Sequence, residues 1–256
     1  MNEAYNIDCM EYMKSLPDNY FDLCVADPPY GAGLTEGGGC QGWFSKYHQE
    51  HRNLRGRFDK YNCSQSVNVE RERERERERR DADGRGVGEE VRKKIIAWDV
   101  APEKEYFEQI FRISRNQIIW GGNYFELPPT RCFLIWRKKT ISESFTMAMA
   151  EYAWTSFNAN AKVFEAAPQG RAGDERFHPT QKPVELYAWT YRLFAEKGQK
   201  IFDPFLGSGS SRIAAWDAGL DFVGCEIDKV YFDKQEERFN AHASQMNLFN
   251  AEQMSL

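Results

Sequence analysis

Two apolar runs in this chain each end in a segment that cannot continue as a strand, and these endings constrain the fold more than any other feature. The first run, Phe21 to Ala26, leads into Asp27-Pro28-Pro29-Tyr30. Consecutive prolines donate no ladder hydrogen bond and hold the residue before them extended, so Asp27 and Tyr30 are presented beyond the strand's C-terminal end. The second run, Lys200 to Phe202, leads into Asp203-Pro204-Phe205-Leu206-Gly207-Ser208-Gly209-Ser210. Glycines there permit a positive φ and close backbone approach, and the helix that follows offers unpaired N–H groups at its N-terminus. Ligands of open α/β sheets bind beyond the C-terminal ends of the strands.

The pattern between and around these runs predicts strands alternating with helices. Tyr5 to Ile7, Gln117 to Trp120, Cys132 to Trp136, Glu151 to Trp154 and Phe222 to Glu226 read as strands. Cys9 to Leu16, Pro102 to Ser114, Val184 to Lys197, Ser210 to Ala218 and Val230 to Asn240 carry apolar residues at helical spacing, with a frayed tail expected after Asn247. Such alternation implies a mainly parallel, doubly wound sheet in a single α/β domain spanning residues 1–256. Residues 31–97 interrupt it with glycine-rich and polar sequence, and the Glu-Arg alternation within residues 70–80 has the composition of a solvated, disordered tract. This segment is expected to be a mobile insertion.

Composition sets the class of partner. A net charge of −5 gives no whole-molecule attraction to a polyanion, so any nucleic-acid contact must be local. The candidate patches are Lys46 to Lys60, Arg92-Lys93-Lys94 and Arg137-Lys138-Lys139. The chain opens without a basic segment followed by an apolar run, and no apolar stretch is long enough to span a bilayer, so a soluble, cytoplasmic protein with no membrane partner is expected. The six cysteines form no C-x-x-C pair and read as reduced, packed thiols. His48 and His51 between Cys40 and Cys63 fit no common zinc spacing, so no metal is expected.

The chemistry lies in three clusters. An exocyclic aromatic amine is a poor nucleophile because its lone pair is delocalised into the ring. The Asp27 carboxylate and the Pro28 carbonyl could accept its two hydrogens and aim the lone pair, while Tyr30 stacks on a base flipped from its duplex. In the second cluster, the Gly207-Ser208-Gly209 loop combines with Glu226 at the next strand tip, where ribose hydroxyls need an acceptor. The loop lacks the Lys of a triphosphate site and the three-glycine fingerprint of a nicotinamide site, and an acidic Asp203 suits a cationic sulfonium better than a pyrophosphate. The third cluster, His178-Pro179-Thr180-Gln181-Lys182-Pro183, precedes a helix that Thr180 could cap, and Lys182 could meet a ligand carboxylate. His178 reads as positional rather than as a general base.

With these three motifs in this order, residues 1–30 and 98–240 resemble the beta-class amino methyltransferases of DNA, which act on adenine N6 or cytosine N4. The resemblance implies a Rossmann-like methyltransferase fold with permuted motif order and S-adenosylmethionine as the methyl donor. It implies that Asp8 and Cys9 approach the cofactor adenine, that Asp203, Phe205, Gly207, Ser208, Gly209 and Glu226 line its site, and that Thr180 and Lys182 lie at its methionine end. Asp27, Pro28, Pro29 and Tyr30 would form the catalytic segment. The implied substrate is double-stranded DNA with a flipped target base. Asp at position 27 favours adenine through the resemblance alone; N4-cytosine, an RNA substrate and a catalytically silent DNA-binding protein stay open. The family often dimerises, and a restriction endonuclease would be a separate chain. The short stretch from Trp154 to His178, where the family usually keeps its target-recognition region, shifts that role towards residues 31–97.

If the Glu-Arg tract is solvated, deleting residues 70–80 leaves the thermal midpoint within about 2 °C, as expected for a segment that buries little surface. A large drop in Tm would show that the tract is packed.

Overall fold

The computed structural model describes residues 1–31, 99–141, 148–170 and 176–254, with side chains of the last helix described to residue 245. From residue 32 the expected insertion lies outside them, as do the Glu-Arg tract, Cys40, His48, His51, Cys63 and two of the three basic patches. The chain divides into two compact units, Pro29–Pro102 and the remainder, Met1–Pro28 with Glu103–Leu256. In the first of these, Gly31 adopts φ 60° and donates its N–H to Asp99 Oδ1 at 3.0 Å.

The larger unit is built on an 8-stranded sheet. Its elements are β1 (Asn2–Tyr5), α1 (Cys9–Lys14), β2 (Phe21–Ala26), α2 (Lys104–Ile113), β3 (Ser114–Trp120), β4 (Phe133–Lys138), β5 (Ala150–Thr155), β6 (Lys162–Ala166), α3 (Val184–Phe194), β7 (Lys200–Asp203), α4 (Ser210–Asp217), β8 (Asp221–Cys225) and α5 (Lys229–Met254). The strand order is β1-β8-β7-β2-β3-β5-β4-β6. Among these strands β5 alone runs against the others, being antiparallel to both β3 and β4. The sheet is therefore mainly parallel, as the alternating pattern implies.

Side-chain alternation at period two distributes the strands' apolar residues between two cores. Leu23, Val25, Ile118, Trp120, Ile201 and Phe222 face one core, which α3 and α4 close with Leu186, Tyr187, Trp189, Tyr191, Ala214 and Ala215. Cys24, Ala26, Ile119, Phe202 and Val223 face the other, closed by Cys9 and Met13 of α1 and by Tyr106, Phe107, Ile110 and Ile113 of α2. The spacing of those α2 residues makes one helical stripe, and burying each such side chain stabilises the fold by roughly 1.5–3 kcal/mol. Both sheet faces are covered, which defines the doubly wound architecture. Among the described residues no helix is long and apolar enough to cross a membrane. Cys9, Cys24, Cys132 and Cys225 are free and buried, so they pack as small apolar groups.

The connections reverse at one place. From β2 the chain passes through α2 to β3, while from β7 it passes through α4, on the opposite face, to β8. Strands β2 and β7 are neighbours in parallel register, Leu23 beside Ile201 and Cys24 beside Phe202. This is the topological switch point at which such sheets open a crevice.

Several elements differ from the sequence pattern. Strand β1 lies at Asn2–Tyr5 rather than at Tyr5 to Ile7, because its register on β8 pairs Asn2 with Phe222 and Tyr5 with Cys225. Helix α5 continues to Met254, beyond the end suggested at Asn240. Strand β6 carries no apolar alternation. Among the described residues it is an edge strand paired with β4 alone, and Phe164, stacked on Trp189 at 5.1 Å, is its inward anchor.

Gly122 follows β3 in a short 3-10 turn beneath β5. A Cβ there would overlap the Trp154 Cβ and stand 2.9 Å from the Trp154 backbone nitrogen. Gly122→Ala is therefore expected to cost about 1–3 kcal/mol of stability by overpacking, read from denaturant unfolding. An unchanged midpoint with an unchanged m-value would contradict this packing.

Candidate active site

At the tip of β7 the Asp203 carboxylate is buried, 1% exposed. Its Oδ1 accepts the Phe205 N–H at 3.0 Å and its Oδ2 accepts the Ser211 hydroxyl. Burial pushes its pKa up to about 7, against the lowering effect of those hydrogen bonds and with a further rise from Asp27 and Glu226. Asp203 thus organises the loop that follows it.

Two glycines of that loop have left-handed backbones, Gly207 at φ 53° and Gly209 at φ 75°. The Gly207 N–H donates to Glu226 Oε2 at 2.8 Å, and a Cβ on Gly207 would stand 3.5 Å from the His178 ring. Gly209 starts α4, whose first turn has no side-chain cap. Helix α5 braces the loop from behind: Arg238 donates to the Ser208 carbonyl at 2.8 Å and to the Ser210 hydroxyl at 3.0 Å. Phe205 is half-buried beside Tyr106, ring centroids 5.3 Å apart.

Glu226 lies at the neighbouring tip, just beyond β8. Its Oε1 accepts the Asp228 N–H at 2.8 Å, and burial raises its pKa. Asn6 donates to the carbonyls of Glu226 at 2.7 Å and Ile227 at 3.1 Å, which brings the β1–α1 loop to the same edge. In that loop Asp8 caps α1 by accepting the N–H groups of Met10 at 2.8 Å and Glu11 at 3.2 Å. Cys9 is buried under the helix, and burial followed by the Asp8 charge pushes its thiol up to about 12. At ordinary pH it is a packed thiol, not a nucleophile.

Asp27 stands one residue past β2. Lys182 Nζ donates to its Oδ2 at 2.5 Å, although the two residues are 155 positions apart. The same ammonium pairs with Glu151 Oε2 at 3.3 Å, and Glu151 Oε1 pairs with Lys138 Nζ at 2.5 Å. Asp27, Lys182, Glu151 and Lys138 therefore form an alternating chain of charges, with Lys182 and Lys138 only 4% and 6% exposed in their side chains. Burial alone would lower the Lys182 pKa, but Asp27 and Glu151 hold it above its usual value. Burial alone would raise Glu151, but Lys182 and Lys138 hold it below its usual value. Both partners remain ionised at neutral pH.

Antiparallel β5 explains how these four meet. Its first residues lie opposite the last residues of β4, Glu151 facing Trp136, so Glu151 reaches the edge where the parallel strands end. Sequence reasoning missed Glu151 and the buried state of Lys138. Within the candidate basic patch Arg137-Lys138-Lys139, the Lys138 ammonium is consumed by Glu151 and Arg137 pairs with Glu165 at 2.8 Å. An acidic residue alternating with apolar ones at a strand start was the available signal.

The expected cap on α3 is corrected. The N-cap is Pro183 with no side-chain cap bond, because Pro183 already fixes an extended backbone at the helix entry. The Thr180 hydroxyl meets His178 Nδ1 at 3.2 Å instead. His178 packs edge-on against Tyr231, centroids 4.4 Å apart, and burial, then Lys182, lowers its pKa to about 4. It is neutral at physiological pH. Pro28 is buried beside Asp27, whereas Pro29 and Tyr30 belong to the other compact unit.

The folded-state pKa of Asp203 lies above the unfolded value near 3.9, so the folded state binds more protons and stability falls as pH rises from about 4 to about 7, then levels off. Asp203→Asn keeps an acceptor for Phe205 and removes this titration. Its stability relative to the parent is expected to rise by about 1–3 kcal/mol across that window, measured by denaturant unfolding at stepped pH. Parallel stability curves would contradict the burial of an ionisable Asp203.

Comparison with known proteins bears on the fold and the family. Over 277 residues the chain is 24% identical to the type II methyltransferase M.BglII of Bacillus subtilis, an alignment covering 97% of this chain and 72% of that protein. The M1.HpyAVI–SAM complex superposes with a TM-score of 0.51 at 15% identity, over 94% of this chain and 100% of the other. The cytosine-N4-specific PvuII DNA methyltransferase does so with a TM-score of 0.53 at 12% identity, over 93% and 86%. At these identities the two structures show a shared fold, that of the Rossmann-like methyltransferases. The sequence model of the N6/N4 DNA methylases matches residues 42–237, and the chain belongs to that family, among its beta-class amino methyltransferases.

Proposed function

We propose that this DNA methyltransferase moves the methyl group of S-adenosylmethionine to the exocyclic N6 amine of an adenine flipped out of double-stranded DNA. The observation that carries the reading is the adjacency of β2 and β7, which sets Asp27 beside the Asp203 to Ser210 loop at the switch point of the sheet. An amine acceptor and a nucleoside-binding loop on neighbouring strand tips are what direct methyl transfer requires.

In this reading Asp27 and the Pro28 carbonyl accept the two amine hydrogens, the lone pair is directed at the methyl carbon, and Tyr30 stacks on the base. The N–C bond forms as the S–C bond breaks with its electron pair remaining on sulfur, and one amine proton is lost. Asp8, Cys9, Asp203, Phe205, Gly207, Ser208, Gly209 and Glu226 form the cofactor site. Glu226 would take the ribose hydroxyls while its oxygens hold the two loop N–H groups. Thr180 and Lys182 lie on the segment towards the methionine end, and Lys182 also orients Asp27. The acidic edge made by Asp203 and Glu226 suits a sulfonium cation. Asp at position 27 supports adenine through family resemblance. The same resemblance adds a homodimer and a separate restriction endonuclease as partners.

The test incubates the protein and its Asp27→Ala variant with methyl-labelled S-adenosylmethionine and unmethylated DNA, followed by digestion to nucleosides and mass spectrometry. N6-methyladenine is expected from the unaltered chain. Asp27→Ala is expected to lower transfer by at least about a thousandfold while calorimetry shows cofactor affinity within about threefold, since Asp27 addresses the amine. N4-methylcytosine would move the reaction to the other base, and loss of cofactor binding in parallel with activity would overturn the assignment of Asp27.

A further inference from the structure

Glu151 and Lys138 share the sheet edge with Asp27 but have no part in the chemistry described above. Lys138 is buried and Glu151 half-buried, and withdrawing two extra ions from water is costly: a fold that needed only packing at these positions would be served as well or better by apolar side chains. Lys138 could remain at a surface, and Glu151 could face solvent on an adjacent position of β5. Instead, among the described residues, they extend the Asp27–Lys182 pair into a chain of alternating charges.

Methyl transfer explains why a bare Asp27–Lys182 pair is insufficient. As the N–C bond forms, one positive charge passes from sulfur to the amine nitrogen, which later releases it as a proton to water. That nitrogen is held by Asp27, and the Lys182 ammonium sits 2.5 Å from Asp27 Oδ2. A lone ammonium there draws hydrogen-bonding capacity from Asp27 and repels the charge growing on the nitrogen, in a region where low water content strengthens both effects. A second carboxylate on the far side of Lys182 offsets both. Glu151 is that carboxylate, 3.3 Å from Lys182 Nζ, and Lys138 at 2.5 Å anchors its other oxygen.

Resting on the methyl-transfer reading, we propose that Glu151 is a positioning residue of the reaction: it shares the Lys182 ammonium with Asp27 and so keeps Asp27 an effective acceptor beside the nitrogen that gains charge. Lys138 holds Glu151 in place.

The experiment measures single-turnover methyl transfer, S-adenosylmethionine Kd by calorimetry, KM for DNA and Tm for the unaltered chain and four variants. Glu151→Gln leaves two lysines facing one carboxylate and is expected to lower the transfer rate about 10- to 100-fold, with Kd and KM within about threefold. Adding Lys138→Met to Glu151→Gln removes the cation left without its carboxylate and is expected to recover a substantial part of that loss, about tenfold, an outcome a purely structural role would not give. Should Glu151→Gln alone unfold, Glu151→Asp and Lys138→Met decide. The shorter Asp weakens its hold on Lys182, with an expected loss of about tenfold. Lys138→Met removes the outer anchor of Glu151 but not its pairing with Lys182, so its loss is expected to be smaller, about threefold. A Glu151→Gln rate within twofold of the parent, a parallel loss of cofactor affinity, no recovery in the double variant, or equal losses in Glu151→Asp and Lys138→Met would each overturn the inference while the unaltered chain remained active. No transfer by the unaltered chain would overturn the methyl-transfer reading and this inference with it.

Discussion

The parallel pairing of β2 with β7 is the constraint on which the rest of the site depends. These strands come from opposite ends of the chain, and their connections leave on opposite faces of the sheet. A helix on each face lifts the backbone away from the shared edge, so the residues just beyond both strands border one crevice. Asp27 and Asp203 stand there as a consequence. Were β2 paired elsewhere, the same motifs would exist on separate surfaces.

Around that pairing, the edge is held by polar groups whose partners are nearly all distant in sequence. Glu226 clamps the Gly207 N–H, Asn6 ties the first loop to the last strand, and Arg238 of α5 secures Ser208 and Ser210. The positive φ values at Gly207 and Gly209 let this loop turn tightly enough for a buried Asp203 to organise it. The result is a preorganised, acidic rim in which the buried Lys182 divides its charge between two carboxylates. Such a rim is electrostatically suited to a cationic donor and to a nitrogen that acquires positive charge during transfer.

Reading function from composition alone would have misled at one place. Arg137-Lys138-Lys139 looks like a basic patch, but a strand alternates its faces, so Lys138 turns inward to Glu151 while Arg137 turns outward to Glu165. The edge strand β6 was equally illegible, because a strand with one packed neighbour needs little apolar alternation. Thr180 shows the converse: a good capping residue is bypassed when a proline already sets the helix entry.

The sequence by itself determined the strands and helices with strong periodicity, the doubly wound class, and the identity of the residues at both strand tips, because hydrophobic period, proline and glycine act locally. It also determined the family resemblance, since the motifs that carry it are contiguous. Only the tertiary structure decided which tips become neighbours, that β5 runs backwards and delivers Glu151 to the edge, and that Lys182 serves Asp27 and Glu151. Those outcomes rest on strand order and on charge pairing across long stretches of chain, where a partner is selected by burial and proximity rather than by any pattern in neighbouring residues.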